Sequence, residues 1–232
     1  MTSIRRIAAS LLFSTSVLCL TVPAIAQQKP GHLDEVLRQM DAASAKFQSV
    51  EANFEWDLYE KVVKQVTTQQ SGTIYFRKES GKTVMGAKMV SPSVKLIEYR
   101  SGLLRLYDVP TNHLTTVRSK GDQIESFLTL GFGGSGSELM KAWTISDLGP
   151  ETINGVETAK MDLVPKDPEI RKNCTHITIW VDPVRGVSLK QVFYMPSDDY
   201  RTATYTNIRY NQRVDEKPYQ INTNNKTTKD EH

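Results

Sequence analysis

The sequence is short of cysteine, with two in 232 residues, at positions 19 and 174. A small disulfide-stapled scaffold is therefore excluded, since such scaffolds need several pairs. Histidine is equally scarce: His32, His113, His176 and His232 are scattered, and none stands at ligand spacing from a second histidine or a carboxylate. No metal centre is expected. Beyond residue 30 no apolar run approaches the roughly 18 residues that a membrane-spanning helix requires. Neither sign of charge dominates, with 29 Lys+Arg against 26 Asp+Glu, and no basic stripe marks a nucleic-acid surface. Disorder is excluded by the opposite kind of evidence, because aromatic residues are plentiful and fall in regular alternation.

The first residues follow a secretory pattern. Arg5 and Arg6 supply the charged start, residues 7–20 are apolar or small, and Ala24-Ile25-Ala26 is a small-residue cleavage site before Gln27. A cleaved signal over 1–26 is expected, with a domain over 27–221 and a polar, disordered tail over 222–232. Cys19 follows Leu18, where an acylation site wants a small residue, and Ile7-Ala8-Ala9 fits twin-arginine export weakly. General secretion is the expectation. Cys174 is then left without an intramolecular partner and reads as a small core hydrophobe rather than a reactive thiol.

Leu33, Val36, Leu37, Met40 and Phe47 recur at helical spacing, which predicts one amphipathic helix over 32–48. The period then changes to two. In residues 52–58 the even positions are apolar and the odd ones polar, the pattern of a half-buried strand. The same alternation recurs around Ile74 and Phe76, Met85 to Met89, Val94 to Leu96, and Leu104 to Leu106, with turn signals between. Spacing of about ten residues per strand means antiparallel hairpins rather than βαβ units. Two short helices are predicted over 122–130 and 137–143, with Ser137 as N-cap of the second. Strands resume over 158–164, 175–181, 188–195 and 201–210.

Catalytic motifs are absent. Residues 131–136 match G-x-G-x-x-G, but without a βαβ context they read as a flexible loop. Gly133-Gly134-Ser135-Gly136-Ser137 fails the nucleophile pattern at its last position. His176 alternates outward from Ile177 and Ile179, and Asp198-Asp199 falls in a turn. The reading is of a non-enzyme with no cofactor.

The informative feature is the apolar face. Phe54, Trp56, Leu58, Ile74, Phe76, Met85, Met89, Leu96, Leu104 and Leu106 all point inward in this pattern. A single antiparallel sheet of about ten strands tends to curl, and its concave side is larger than its own side chains fill. Helices must cover it. Two readings fit: an ordinary core with helices packed on it, or a pocket for an apolar ligand.

Five segments, in order, resemble the periplasmic outer-membrane lipoprotein carriers, the LolA-like family. They are Leu33-Asp34-Glu35-Val36-Leu37 leading to Phe54; Gly72-Thr73-Ile74-Tyr75-Phe76-Arg77-Lys78; Ser101-Gly102-Leu103-Leu104-Arg105-Leu106-Tyr107-Asp108; Thr178-Ile179-Trp180-Val181-Asp182 with Leu189 and Lys190; and Thr206-Asn207-Ile208 to Asn211. Arg105 stands where the family has a tryptophan. The resemblance implies an α+β fold: an unclosed, strongly curved antiparallel barrel of about ten to eleven strands. The N-terminal helix and short lid helices would cover an apolar cavity. It implies a periplasmic monomer that takes lipoprotein acyl chains from an inner-membrane transporter and passes them to an outer-membrane receptor. Phe127, Leu130, Leu139 and Trp143 would belong to the lid, and Arg77 or Lys78 would latch it. Carriage of a different lipid, or an envelope lipid-sensing module of the same fold, stays open, because fold does not set cargo.

Overall fold

The apolar stripe nearest the N-terminus forms α1 (His32–Lys46) in a computed structural model that describes residues 32–118, 127 and 129–232. Asp34 and Glu35 lie in its first turn and Lys46 in its last, each favourable to the helix dipole. Val36, Leu37, Met40 and Ala43 are buried on one side. The signal segment, Cys19 and most of the expected 122–130 helix lie outside the described residues.

Twelve strands follow: β1 (Ser49–Glu60), β2 (Gln65–Glu79), β3 (Lys82–Ser91), β4 (Lys95–Arg100), β5 (Leu103–Asp108), β6 (His113–Arg118), β7 (Trp143–Ile153), β8 (Val156–Pro165), β9 (His176–Asp182), β10 (Val187–Tyr194), β11 (Tyr200–Tyr210) and β12 (Thr228–Glu231). Among the described residues two short α-helices interrupt them, α2 (Gly136–Ala142) and α3 (Pro168–Arg171). All strands join one sheet in the order β12-β6-β5-β4-β3-β2-β1-β11-β10-β9-β8-β7. It is thus two antiparallel meanders fused by the β1–β11 pairing, and its edges, β12 and β7, do not pair with each other. The half-barrel stays open.

Bulges supply the curl. Register shifts occur in β1 near Glu51, in β2 at Ser71/Gly72 and in β10 near Ser188. A Cβ on Gly72 would lie 2.1 Å from the Lys88 carbonyl oxygen, so only glycine lets β2 and β3 approach this closely.

Strand β4 carries apolar residues on both faces, which defeats a single-face reading. Ile97, opposite Leu106, lies on the concave side. Leu96, opposite Tyr107, packs on the convex side with Leu114 and Ile221. The expected inward position of Leu96 is therefore corrected to Ile97.

The convex face explains a second departure. Tyr219 and Val214 pack on Tyr75 and Val84, so the chain after β11 crosses the back of the sheet. It then adds β12 parallel to β6, with Thr228 opposite His113. The tail expected to be disordered is held because exposed ladder groups of the β6 edge pair with it. Strands β6, β7 and β12 were not legible in the alternation. Their burial patterns are mixed or wholly exposed.

Candidate functional site

Two apolar clusters line the concave side. One joins Phe54, Ile74, Phe76, Met85, Met89, Val187, Ala203 and Tyr205 around Phe132. The other packs α1 and α2 on Met161, Leu163, Ile177 and Ile179 of β8 and β9. Between them, where Phe193 packs against both, a cavity of about 420 Å³ remains, open to solvent. That size lies within the roughly 300–1,000 Å³ common for small-molecule sites.

One wall of the cavity is Trp56, Ile74, Phe76, Met85, Leu104 and Leu106, six of the ten residues expected there. Phe54 and Met89 are buried in the packed core beneath it. Leu58 is half-buried on β1 away from the lining, and Leu96 is on the opposite face. The adjoining stretch of the sheet was missed: Phe193 and Met195 from β10 and the turn after it, and Arg201, Ala203 and Tyr205 from β11, which pairs with β1. Their period-two spacing was the available signal.

The lid is built on the glycine-rich segment. Phe132 is only 2% exposed. Its ring stacks on Phe76 at 4.2 Å between centroids, with 8° between planes, and meets Tyr205 edge-on at 4.8 Å. The backbone on either side is tied to the sheet and to α1. Ser188 N–H donates to the Gly131 carbonyl (2.7 Å), Gly133 N–H to the Gly186 carbonyl (3.1 Å), and the Ser44 hydroxyl to the Gly133 carbonyl (2.7 Å). Gln191 Nε2 donates to the Leu130 carbonyl at 2.7 Å. The segment read as a flexible loop is thus a strap with an aromatic plug. Gly131 and Gly133 sit at φ of 76° and 77°, where a Cβ is strained.

The strap leads into α2. Its N-cap is Ser135 rather than Ser137: the Ser135 hydroxyl accepts from Glu138 N–H, and the Glu138 carboxylate accepts from Ser135 N–H. Ser137 instead donates its hydroxyl to Asp41, joining α2 to α1. Phe127 and Leu130 border the cavity, while Leu139 and Trp143 pack deeper under α1. Trp143 is the first residue of β7, not the end of a helix.

The two candidate latch residues fall on opposite faces. Arg77 is convex: its Nε donates to Glu216 at 2.5 Å and its Nη2 to Glu79 at 3.0 Å. Arg100 holds the same two carboxylates. These groups fasten the C-terminal segment to the back of the sheet, so Arg77 is not a lid latch. Lys78 is concave and borders a second cleft, of about 530 Å³, with Met40, Leu139 and the strap.

Few polar groups enter the main cavity. Gln191 is engaged with Leu130 and with the Tyr205 hydroxyl. Cys174 lines the wall, and burial pushes its thiol up to about 11. Asn173, which is exposed, and Arg201, which is half-buried, also line the cavity. Among the described residues no three His, Cys, Asp or Glu side chains converge on a metal-sized site, and no helix is long and apolar enough to cross a membrane.

No family model and no curated protein matches the chain. Solved structures do. The MucA/MucB complex of Pseudomonas aeruginosa matches at 14% identity with a TM-score of 0.51, over 83% of this chain and 62% of that one. An uncharacterized conserved protein from Thermus thermophilus matches at 8% identity with a TM-score of 0.52, over 86% of this chain and 98% of that one. A LolA superfamily protein from Nitrosomonas europaea matches more loosely, at 10% identity with a TM-score of 0.38, over 83% of this chain and 99% of that one. The chain spans 62% of the MucB-complex chain it matches. At these identities the likeness is one of fold. The open half-barrel under helices agrees with the unclosed antiparallel barrel expected from the sequence.

Proposed function

We propose that the protein is a periplasmic carrier that shields lipoprotein acyl chains in its cavity and shuttles them from the inner to the outer membrane. The observation that carries this reading is the unfilled apolar cavity between Trp56, Phe76 and Leu104 on one side and Phe127, Leu130 and Phe193 on the other. Each methylene withdrawn from water contributes roughly 0.8 kcal/mol, so a long acyl chain in such a wall is held without any polar contact. The open mouth leaves part of the chain wet, which limits affinity and lets cargo be handed on. Among the described residues the lining offers no nucleophile paired with a base, and the Cys174 thiol stays protonated at neutral pH. Binding, not catalysis, is what these groups support. The implied partners are a releasing transporter and an outer-membrane receptor.

A second reading has one observation in its favour. MucB, which shares the fold, was solved in a complex with MucA. A lipid-responsive interaction module would use the same cavity, with a protein rather than a receptor membrane as its output.

Native mass spectrometry of the protein taken from its own host, followed by lipid extraction, tests the proposal. A co-purifying acylated peptide is the expected result. Another lipid would keep the cavity and change the cargo. An empty protein that also takes up no acylated peptide when mixed with it would overturn the carrier reading.

A further inference from the structure

One cation stands among the apolar side chains of the cavity. Arg201 lies near the start of β11, opposite Leu58 of β1 and Phe193 of β10. It borders the cavity beside Trp56, Phe193 and Met195. Among the described residues its side chain has no ion pair and no hydrogen bond, and burial alone acts on its basicity, lowering it. The other half-buried arginines differ. Arg77, Arg100, Arg105 and Arg185 each hold a carboxylate.

A half-buried guanidinium without a partner loses part of its hydration for no compensating contact, and so gains the chain nothing in stability. Its planar fork of donors matches a carboxylate or a phosphate. The cavity is also graded along β11. Arg201 and the exposed Asn173 mark the wetter end, Ala203 follows, and Tyr205 under the Phe132 ring marks the dry end. Tyr205 lies four steps along the strand from Arg201, about 13 Å. A charged end and an apolar end at that separation fit an amphiphile.

We propose that Arg201 binds the anionic head, carboxylate or phosphate, of an amphiphile whose tail runs along the cavity toward Phe132. This rests on the carrier reading only in that the cavity takes an acyl tail; it makes acidic lipids preferred to neutral ones of the same tail, and so favours them over the esterified chains of a lipoprotein.

The test compares a fluorescent polyene fatty acid with its methyl ester, on the wild-type chain and on Arg201→Gln and Arg201→Leu. The wild type is expected to bind the acid roughly ten- to a hundredfold more tightly than the ester, the worth of a charge-assisted hydrogen bond. Both variants are expected to bind acid and ester alike, at the ester's affinity. Equal binding of the two by the wild type, or a preference that survives in Arg201→Leu, overturns the proposal while the cavity stands. Failure of the wild type to bind either ligand overturns the carrier reading itself. Arg201→Leu is expected to melt no lower than the wild type. A lower melting temperature would mean that Arg201 serves structure, and would count against the proposal. A monoalkyl phosphate of equal tail length separates the two heads, the tighter ligand naming the head. Inorganic phosphate alone is expected to displace neither. Full displacement by it would make the site one for a free anion and refute the lipid assignment.

Discussion

Truncating Phe132 to alanine probes the strap most sharply. The ring is 2% exposed, stacked on Phe76 and edge-on to Tyr205, and its backbone forms a bridge to Val187. A buried Phe→Ala change costs about 3–5 kcal/mol, counting lost transfer free energy and the cavity left behind. Phe132 belongs at the low end of that range, because one side of its ring already borders the open cavity. Its backbone bonds through Gly131 and Gly133 are untouched by the change. For a domain of this size, each kcal/mol moves the melting temperature by about 2–4 °C. A loss of about 3 kcal/mol then lowers it by about 6–12 °C. Phe132→Leu keeps most of the volume and, at under about 1.5 kcal/mol, shifts it by less than about 6 °C. Thermal unfolding followed by circular dichroism reads both. A fall of less than about 3 °C for Phe132→Ala would refute the reasoning, since a ring so packed cannot be removed that cheaply.

Three further outcomes follow from the geometry. Leu104→Glu places a carboxylate on the cavity wall, within reach of the open mouth, and is expected to abolish acyl-chain uptake while shifting the melting temperature only a few degrees; unchanged uptake would dissociate the cavity from binding. Gly133→Ala forces a Cβ to 2.3 Å from the Phe47 ring at a φ of 77° and is expected to cost about 1–3 kcal/mol, whereas Gly134→Ala, with open space around it, is neutral; equal melting temperatures for the two would show that the strap is not seated as described. The Cys174 thiol ordinarily ionises near 9 and is pushed up to about 11 by burial, so the unfolded chain releases its proton first and stability falls as pH rises from about 9 to about 11. Cys174→Ala is expected to flatten that part of the stability profile. A decline as steep as the wild type's would place its origin elsewhere.

The concave face of β1, β2, β3 and β5 was legible because large apolar groups recur along it at period two, although Tyr75, Val84 and Tyr107 make the convex face partly apolar as well. Residues 73–77 and 103–108 look mixed, yet Ile74, Phe76, Leu104 and Leu106 alternate cleanly with Arg77 and Arg105. Strand β4 was misread because its second face is apolar too, and the partner of that face, Ile221, lies more than a hundred residues away in sequence. The role of Arg77 was misread for the same reason: its partner Glu216 belongs to a segment whose polar composition suggests solvent. The strap was hidden by its glycines. They signal flexibility when read alone, but here they permit the close approaches to Ser188 and Phe47 that let Phe132 reach the sheet. Arg201 was invisible as a site residue because a strand arginine in sequence usually faces water. Only the cross-strand register puts it beside Phe193 on the concave side.

The claim at the centre is that the cavity beside Trp56 takes an acyl chain, and Trp56 itself can report it. Trp143 packs under α1, and Trp180 lies beneath Lys160 and Lys190, so neither borders the cavity. A fatty acid brominated along its tail quenches indole fluorescence only on contact. Titrating it into the wild type and into Trp56→Phe is the direct measurement. Saturable quenching in the wild type that is largely lost in Trp56→Phe is the predicted result. Quenching that does not saturate, or that survives intact in Trp56→Phe, would contradict the assignment of this cavity to the acyl chain.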